Sequence, residues 1–156
     1  VSTPDKAEVA RAAGCHYPVV RGEKSFVDVV REVTDGEGCA VVYEAIGKDT
    51  LQHSLDSLRP MGVCAAYGHV SGPPDPVDII QDLGRRGSLC ITRPAIMHYV
   101  AKRAALEWTA RDLFKAISGG VLKANINYEY ALKDAVKAHE AIESGKTLGA
   151  TVLIPR

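Results

Sequence analysis

Residues 39–68 read CAVVYEAIGKDTLQHSLDSLRPMGVCAAYG. The opening CAVVYEA is continuous and β-branched, without polar alternation, which is the pattern of a strand covered on both faces. DTLQHSLDSL then sets Leu51, Leu55 and Leu58 at i, i+4 and i+7, a helix that Pro60 and Gly62 should end. VCAAYG is a second buried strand. Strands of this type, joined through a helix, pair in parallel.

The alternation extends in both directions. Upstream, Thr3 reads as an N-cap with Pro4 at the first helical position, giving a helix from about Pro4 to Ala13 closed by Gly14. Tyr17–Val20, YPVV, reads as a short strand. A helix follows with Phe26, Val29, Val30 and Val33 on one face, stopping at Gly36. Downstream come the loop HVSGPPDP, a short helix VDIIQDLG, and a strand SLCIT. The fold class is α/β, a doubly wound parallel sheet, and such sheets carry their chemistry at the carboxyl ends of the strands.

After residue 100 the pattern changes. RAALEWTARDLFKAISGG is a long amphipathic helix with Leu106, Leu113, Phe114 and Ile117 inward. ANINYEY reads as extended, a helix starts near Leu132, and ATVLIP is a terminal strand. Two helices before that strand suggest a different sheet. The glycine pair Gly119–Gly120 marks the boundary, giving domains 1–120 and 121–156.

With 156 residues, 46% apolar, 24% charged and net charge +0, the chain has the composition of an ordinary globular domain. A neutral balance offers no electrostatic basis for nucleic acid or an anionic membrane, and no apolar run approaches a membrane span. Cys15, Cys39, Cys64 and Cys90 form no CxxC pair. The last three sit in apolar runs and read as buried free thiols of a reducing compartment, the cytoplasm. The dinucleotide fingerprint G-x-G-x-x-G is absent, as are the Walker A sequence, the G-x-S-x-G elbow and H-E-x-x-H. No catalytic motif stands complete, and no histidine or cysteine spacing suggests a metal site.

Five segments in order, VSTPDKAEVARAAG, VREVTDGEGCAVVYEAIGKDTLQHSLDSLRPMG, YGHVSG, GSLCITRP and YEYALKDAVKAHEAIESGKTLGATVLIP, span nearly the whole chain. Together they resemble the zinc-free quinone oxidoreductase (zeta-crystallin-like) branch of the medium-chain dehydrogenase/reductase family. The resemblance implies an incomplete Rossmann-type sheet lacking its first βαβ unit and glycine turn. It also implies a helix–strand tail, from about Leu122, that returns to a GroES-like catalytic domain.

It implies site residues too. After a second Rossmann strand, an NADP enzyme needs small residues and a cation for the 2′-phosphate. Ser2 and Lys6 match that need, although a solvated helix lysine reads the same way. Arg21 stands where relatives usually carry an aromatic residue or histidine; it either stacks on adenine and holds phosphate, or is a surface arginine. In the turn after CAVVYE, Ala45 replaces the serine often found in relatives. Gly47 there allows close backbone approach. Lys48 reaches the ligand or simply begins the next helix. Tyr67 and Gly68 match an aromatic–glycine pair lining the nicotinamide pocket, with His69 in the same loop. Thr92 and Arg93 reach toward the nicotinamide, while their strand, residues 88–93, pairs across a homodimer.

The expected function is the C-terminal cofactor-binding part of an NADPH-dependent reductase of quinones or enones. No catalytic side chain and no metal are assigned within it, and the isolated chain is expected to be inactive. The alternatives are a non-enzymatic dimerisation or binding module, and a nucleoside-binding α/β domain using Glu44 on a ribose.

Overall fold

The computed structural model describes residues 1–155, which divide into two compact units, Val1–His98 and one beginning at Tyr99. In the first, α1 (Pro4–Ala12) starts where the Thr3 hydroxyl accepts from the Lys6 amide at 3.3 Å. α2 (Phe26–Val33) is capped by Ser25 in the same way. The sheet then builds from β1 (Cys39–Glu44), α3 (Leu51–Asp56), β2 (Leu58–Ala66) and β3 (Cys90–Thr92). All pairs are parallel, in the order β1-β2-β3, so the α/β parallel architecture read from residues 39–68 stands.

The core forms where α3 lies on the sheet. Leu51, Leu55, Leu58, Cys64 and Leu89 are buried together, and Val42, Ala66, Val77, Leu83 and Ile91 pack around them. Burying each large side chain contributes about 1.5–3 kcal/mol. A single π turn, Ile79–Gly84, replaces the short helix expected over VDIIQDLG. Asp78 caps it by accepting from the amides of Ile80 and Gln81, each at 2.8 Å. Arg86 ties this turn back to α3 through Asp56 at 3.1 Å and Gln52 at 2.8 Å.

Further expectations change in this unit. Tyr17–Val20 forms no strand. Pro18 has no amide proton, and the backbone bonds from this stretch to another segment run to Val1: the Val1 ammonium donates to the Val19 carbonyl at 2.8 Å, and the Arg21 amide to the Val1 carbonyl at 2.9 Å. α3 ends at Asp56 and β2 begins already at Leu58, taking Pro60 and Gly62 into an irregular stretch where Cys39 faces Leu58 but Val41 faces Val63. β1 is not covered on both faces: Tyr43 is 76% exposed and Val41, two residues before it on the same face, is exposed too, while Val42 and Glu44 face the core side. The thiols differ as well. All four are free, but only Cys64 is buried; Cys39 is half-buried, and Cys15 and Cys90 are exposed.

α4 (Ile96–Tyr99) is a single turn at the join of the two units. The second unit contains α5 (Arg103–Ser118), β4 (Ile126–Ala131), a 3-10 turn at Leu132–Asp134, α6 (Ala135–Glu143) and β5 (Ala150–Ile154). β4 and β5 pair in parallel as a separate two-stranded sheet. Ala138 of α6 is buried. The face of α5 expected to point inward does not: Leu106, Leu113 and Ile117 are exposed and Phe114 is 66% exposed. The compact division also groups α5 with the second unit, whereas the sequence reading sets it before the Gly119–Gly120 boundary.

Candidate functional site

Two turns meet at the carboxyl ends of β1 and β2. The first, residues 45–50, is wound around the carboxylate of Glu44, which is only 4% exposed. Glu44 Oε1 accepts from the amides of Ile46 at 2.6 Å and Gly47 at 3.0 Å, and from the Thr50 hydroxyl at 2.9 Å. Oε2 accepts from Thr50 Oγ1 at 3.0 Å and from the Ser54 hydroxyl. Burial alone pushes this carboxyl up; the hydrogen bonds from Ser54, Gly47, Ile46 and Thr50 together outweigh it and hold it below the ordinary carboxylate value. The Glu44 oxygens are thus taken up by donors of the 45–50 turn and by Ser54, and Glu44 also stands on the wall of the cleft beside this turn.

The second turn, residues 67–72, is laced to the first. The amides of Tyr67 and Gly68 donate to the Glu44 carbonyl at 2.9 and 3.2 Å, and the Lys48 amide donates to the Gly72 carbonyl at 3.1 Å. Ser71 Oγ donates to the Ile46 carbonyl at 2.9 Å and accepts from the Asp49 amide at 3.0 Å. Two glycines permit this closeness. A Cβ on Gly68 would lie 2.2 Å from the Ala45 carbonyl oxygen, and one on Gly47 (φ +93) 2.6 Å from the Gly72 oxygen.

A cleft of about 1010 Å³ opens beside the first turn. It brings together four of the expected residues: Ser2 and Lys6 at the start of α1, Arg21 beyond it, and Ala45 across the cleft, with Tyr43, Ile46 and Thr50 on the β1 side. The Arg21 amide bond to Val1 is what holds Arg21 beside Ser2. Gly47, Lys48, Tyr67, Gly68, His69, Thr92 and Arg93 do not line this cleft. They belong to the paired turns and the end of β3. There Arg93 Nη1 donates to the Ala66 carbonyl at 2.9 Å and Nη2 lies 3.2 Å from His69 Nδ1. A guanidinium only donates, so Nδ1 is the acceptor and the imidazole proton sits on Nε2. Tyr67, Lys48, Thr92 and Arg93 are exposed; Gly47 is buried.

Sequence reasoning missed Thr50, Ser54 and Ser71. For Thr50 and Ser54 the signal was an acid ending an apolar strand with hydroxyls six and ten residues on, because a carboxylate there needs donors; Ser71, which bonds the Ile46 carbonyl and the Asp49 amide, had no such signal. Cys64, beside this network, is wholly buried, and burial with the Glu44 charge pushes its thiol up to about 11. Among the described residues no group of three or more His, Cys, Asp or Glu side chains is placed to hold a metal ion.

A family model described as zinc-binding dehydrogenase matches residues 14–153. The 2-haloacrylate reductase of a Burkholderia species is 49% identical over 156 residues, which cover 100% of this chain and 47% of that protein. A quinone oxidoreductase of Salmonella typhimurium is 40% identical over 157 residues, 99% of this chain and 48% of the relative. The crystal structure of Escherichia coli quinone oxidoreductase complexed with NADPH superposes with a TM-score of 0.91 at 37% identity, over 99% of this chain and 48% of that one. The chain thus spans about half the length of the curated relatives it matches.

Proposed function

The chain belongs to the zinc-binding dehydrogenase family, and from that membership we propose that it is the C-terminal, cofactor-binding part of an NADPH-dependent reductase of quinones or other conjugated carbonyls. One observation carries the reading: Ser2, Lys6 and Arg21 surround the same cleft, which continues to the turn at Ala45. Two cations and a hydroxyl suit a dianionic 2′-phosphate, and a cleft of about 1010 Å³ has room for the adenosine end of a dinucleotide. The glycines at Gly47 and Gly68 let the two turns at the strand ends lie against each other, since an added Cβ on either would meet the opposite turn.

In this reading Ser2, Lys6 and Arg21 bind the 2′-phosphate and adenine. Ala45, Gly47 and Lys48 face the middle of the cofactor. Tyr67, Gly68, His69, Thr92 and Arg93 form one wall at the nicotinamide. When bound, the dihydronicotinamide supplies a hydride to the electron-poor carbon of the acceptor. Residues 1–120 act as the cofactor domain and 121–156 as the tail that completes a catalytic domain. β3, whose outer edge is unpaired, joins a second copy through residues 88–93. Four free thiols suit the cytoplasm.

The test is a fluorescence titration of the intact protein with NADPH and with NADH. The parent should prefer NADPH, and Lys6→Ala combined with Arg21→Ala should erase that preference, weakening NADPH by roughly 10- to 100-fold as charge-assisted phosphate contacts are lost. Equal affinity of the parent for both cofactors, or an unmoved preference in the double variant, refutes the reading.

A further inference from the structure

Glu44 poses a question that the cofactor reading leaves open: why a carboxylate is buried at the wall of the site with its oxygens taken up by the chain's own donors. Its two oxygens accept from Ile46 N, Gly47 N, Thr50 Oγ1 and Ser54 Oγ. Its own carbonyl accepts from Tyr67 N and Gly68 N in the neighbouring turn. One residue therefore fixes both turns that carry candidate cofactor contacts. Burying a carboxylate is costly, and an apolar residue would serve a purely structural strand end at less cost.

We propose that Glu44 is the positioning residue of the cofactor site: its carboxylate sets the path of the 45–50 turn and, through the Val70 and Ser71 amide bonds to the Ala45 and Ile46 carbonyls, the height of the 67–72 turn. The amides of Ile46 and Gly47 are drawn inward by Glu44, so the ligand meets the outer side of the turn, where Ala45 lines the cleft. The Val70 amide donates to the Ala45 carbonyl at 3.3 Å and the Ser71 amide to the Ile46 carbonyl at 2.8 Å, so relaxation of the first turn moves the second. The two turns shift as one unit, and cofactor affinity depends on a carboxylate whose hydrogen bonds are all made within the chain.

This inference rests on the reading of the cleft as an NADPH site, and the experiment separates the two. Glu44→Ala and Glu44→Gln are made in the intact protein. Amide hydrogen exchange at Ile46 and Gly47 is measured without ligand, and NADPH binding is titrated with and without added acetate, which matches the atoms that the alanine variant lacks. Exchange at both amides should accelerate in both variants. NADPH should bind about ten-fold more weakly to the alanine variant, with the loss falling on KM rather than kcat. Acetate should restore the alanine variant and leave the glutamine variant unchanged; chloride at the same ionic strength should restore neither.

Unchanged exchange at Ile46 and Gly47 overturns the proposal, as does parental NADPH affinity in both variants or failure of acetate in a folded alanine variant. If the alanine variant does not fold, the glutamine variant and Ser54→Ala decide. Both should show faster exchange and weaker NADPH binding, and parental behaviour in both overturns it. Should the parent itself bind no NADPH, the cofactor reading fails, while the exchange measurement still judges Glu44 as the clamp of the turn.

Discussion

Replacing Gly68 with alanine tests whether the two turns at the strand ends are held at a fixed separation. The added Cβ would lie 2.2 Å from the Ala45 carbonyl oxygen and 2.8 Å from the Ala45 Cα and carbonyl carbon. These neighbours are backbone atoms, so no side chain can swing away. Reaching ordinary contact requires the turns to part by roughly 1 Å. That displacement acts directly on the Gly68 amide bond to the Glu44 carbonyl, already 3.2 Å, and on the Val70 amide bond to the Ala45 carbonyl, at 3.3 Å. Overpacking of this kind costs about 1–3 kcal/mol, and each of the two stretched bonds about 1 kcal/mol more, so the expected loss is about 3–5 kcal/mol. Gly68 has no positive φ, so none of this is conformational strain of alanine itself. Gly47→Ala, at φ +93, would add that strain to a similar clash. The assay is urea unfolding of the intact protein followed by circular dichroism, with NADPH affinity measured on the folded variant. A loss below about 1 kcal/mol would mean that the turns separate freely and that neither Gly68 nor Glu44 fixes their geometry.

Acid unfolding should expose the Glu44 network. Its carboxyl is held low in the folded state, so the stability it contributes is full above the ordinary carboxylate value and is lost as pH falls from there through the folded value. Glu44→Gln should flatten that part of the stability curve, and an unchanged acid limb would count against the inward hydrogen bonds. Under native conditions iodoacetamide should label Cys15 and Cys90 but not Cys64, whose thiol is buried and pushed up to about 11. Rapid labelling of Cys64 would show that the core under α3 opens easily. Nitrogen-15 spectra of His69 should show the neutral ring protonated on Nε2, and Arg93→Gln should let the two tautomers mix. A parental spectrum in that variant would mean that Arg93 does not set the tautomer.

The strand–helix–strand unit was legible because its signals are local. Leu51 and Leu55 are spaced for one helix face, and β-branched runs flank them. The boundaries were less so. Leu58 fits the helical spacing, yet it starts β2, and its burial is the same in either element. Periodicity reports which side chains are covered, not which element carries them. Tyr17–Val20 failed for the complementary reason: strand propensity is realised only against a ladder, and Val1 supplies just two hydrogen bonds. At the site, the family resemblance picked out Ser2, Lys6, Arg21 and Ala45, and the structure brings these four around one cleft. The Glu44 clamp stayed hidden because its partners are hydroxyls and amides, which carry no motif of their own.

The exposed residues complete the comparison. Val41 and Tyr43 of β1, and Leu106, Leu113, Phe114 and Ile117 of α5, read as inward positions and stand exposed. In each case the pattern is well formed, and this chain's own elements do not provide the cover. A sequence pattern therefore describes burial in the surroundings for which it was selected, and those need not be the surroundings a chain gives itself. For β1 the consequence is specific: Tyr43 lines the same cleft as Lys6 and Arg21. Whatever covers the outer face of β1 also forms a wall of the proposed cofactor site, so covering that strand and completing the site are one requirement.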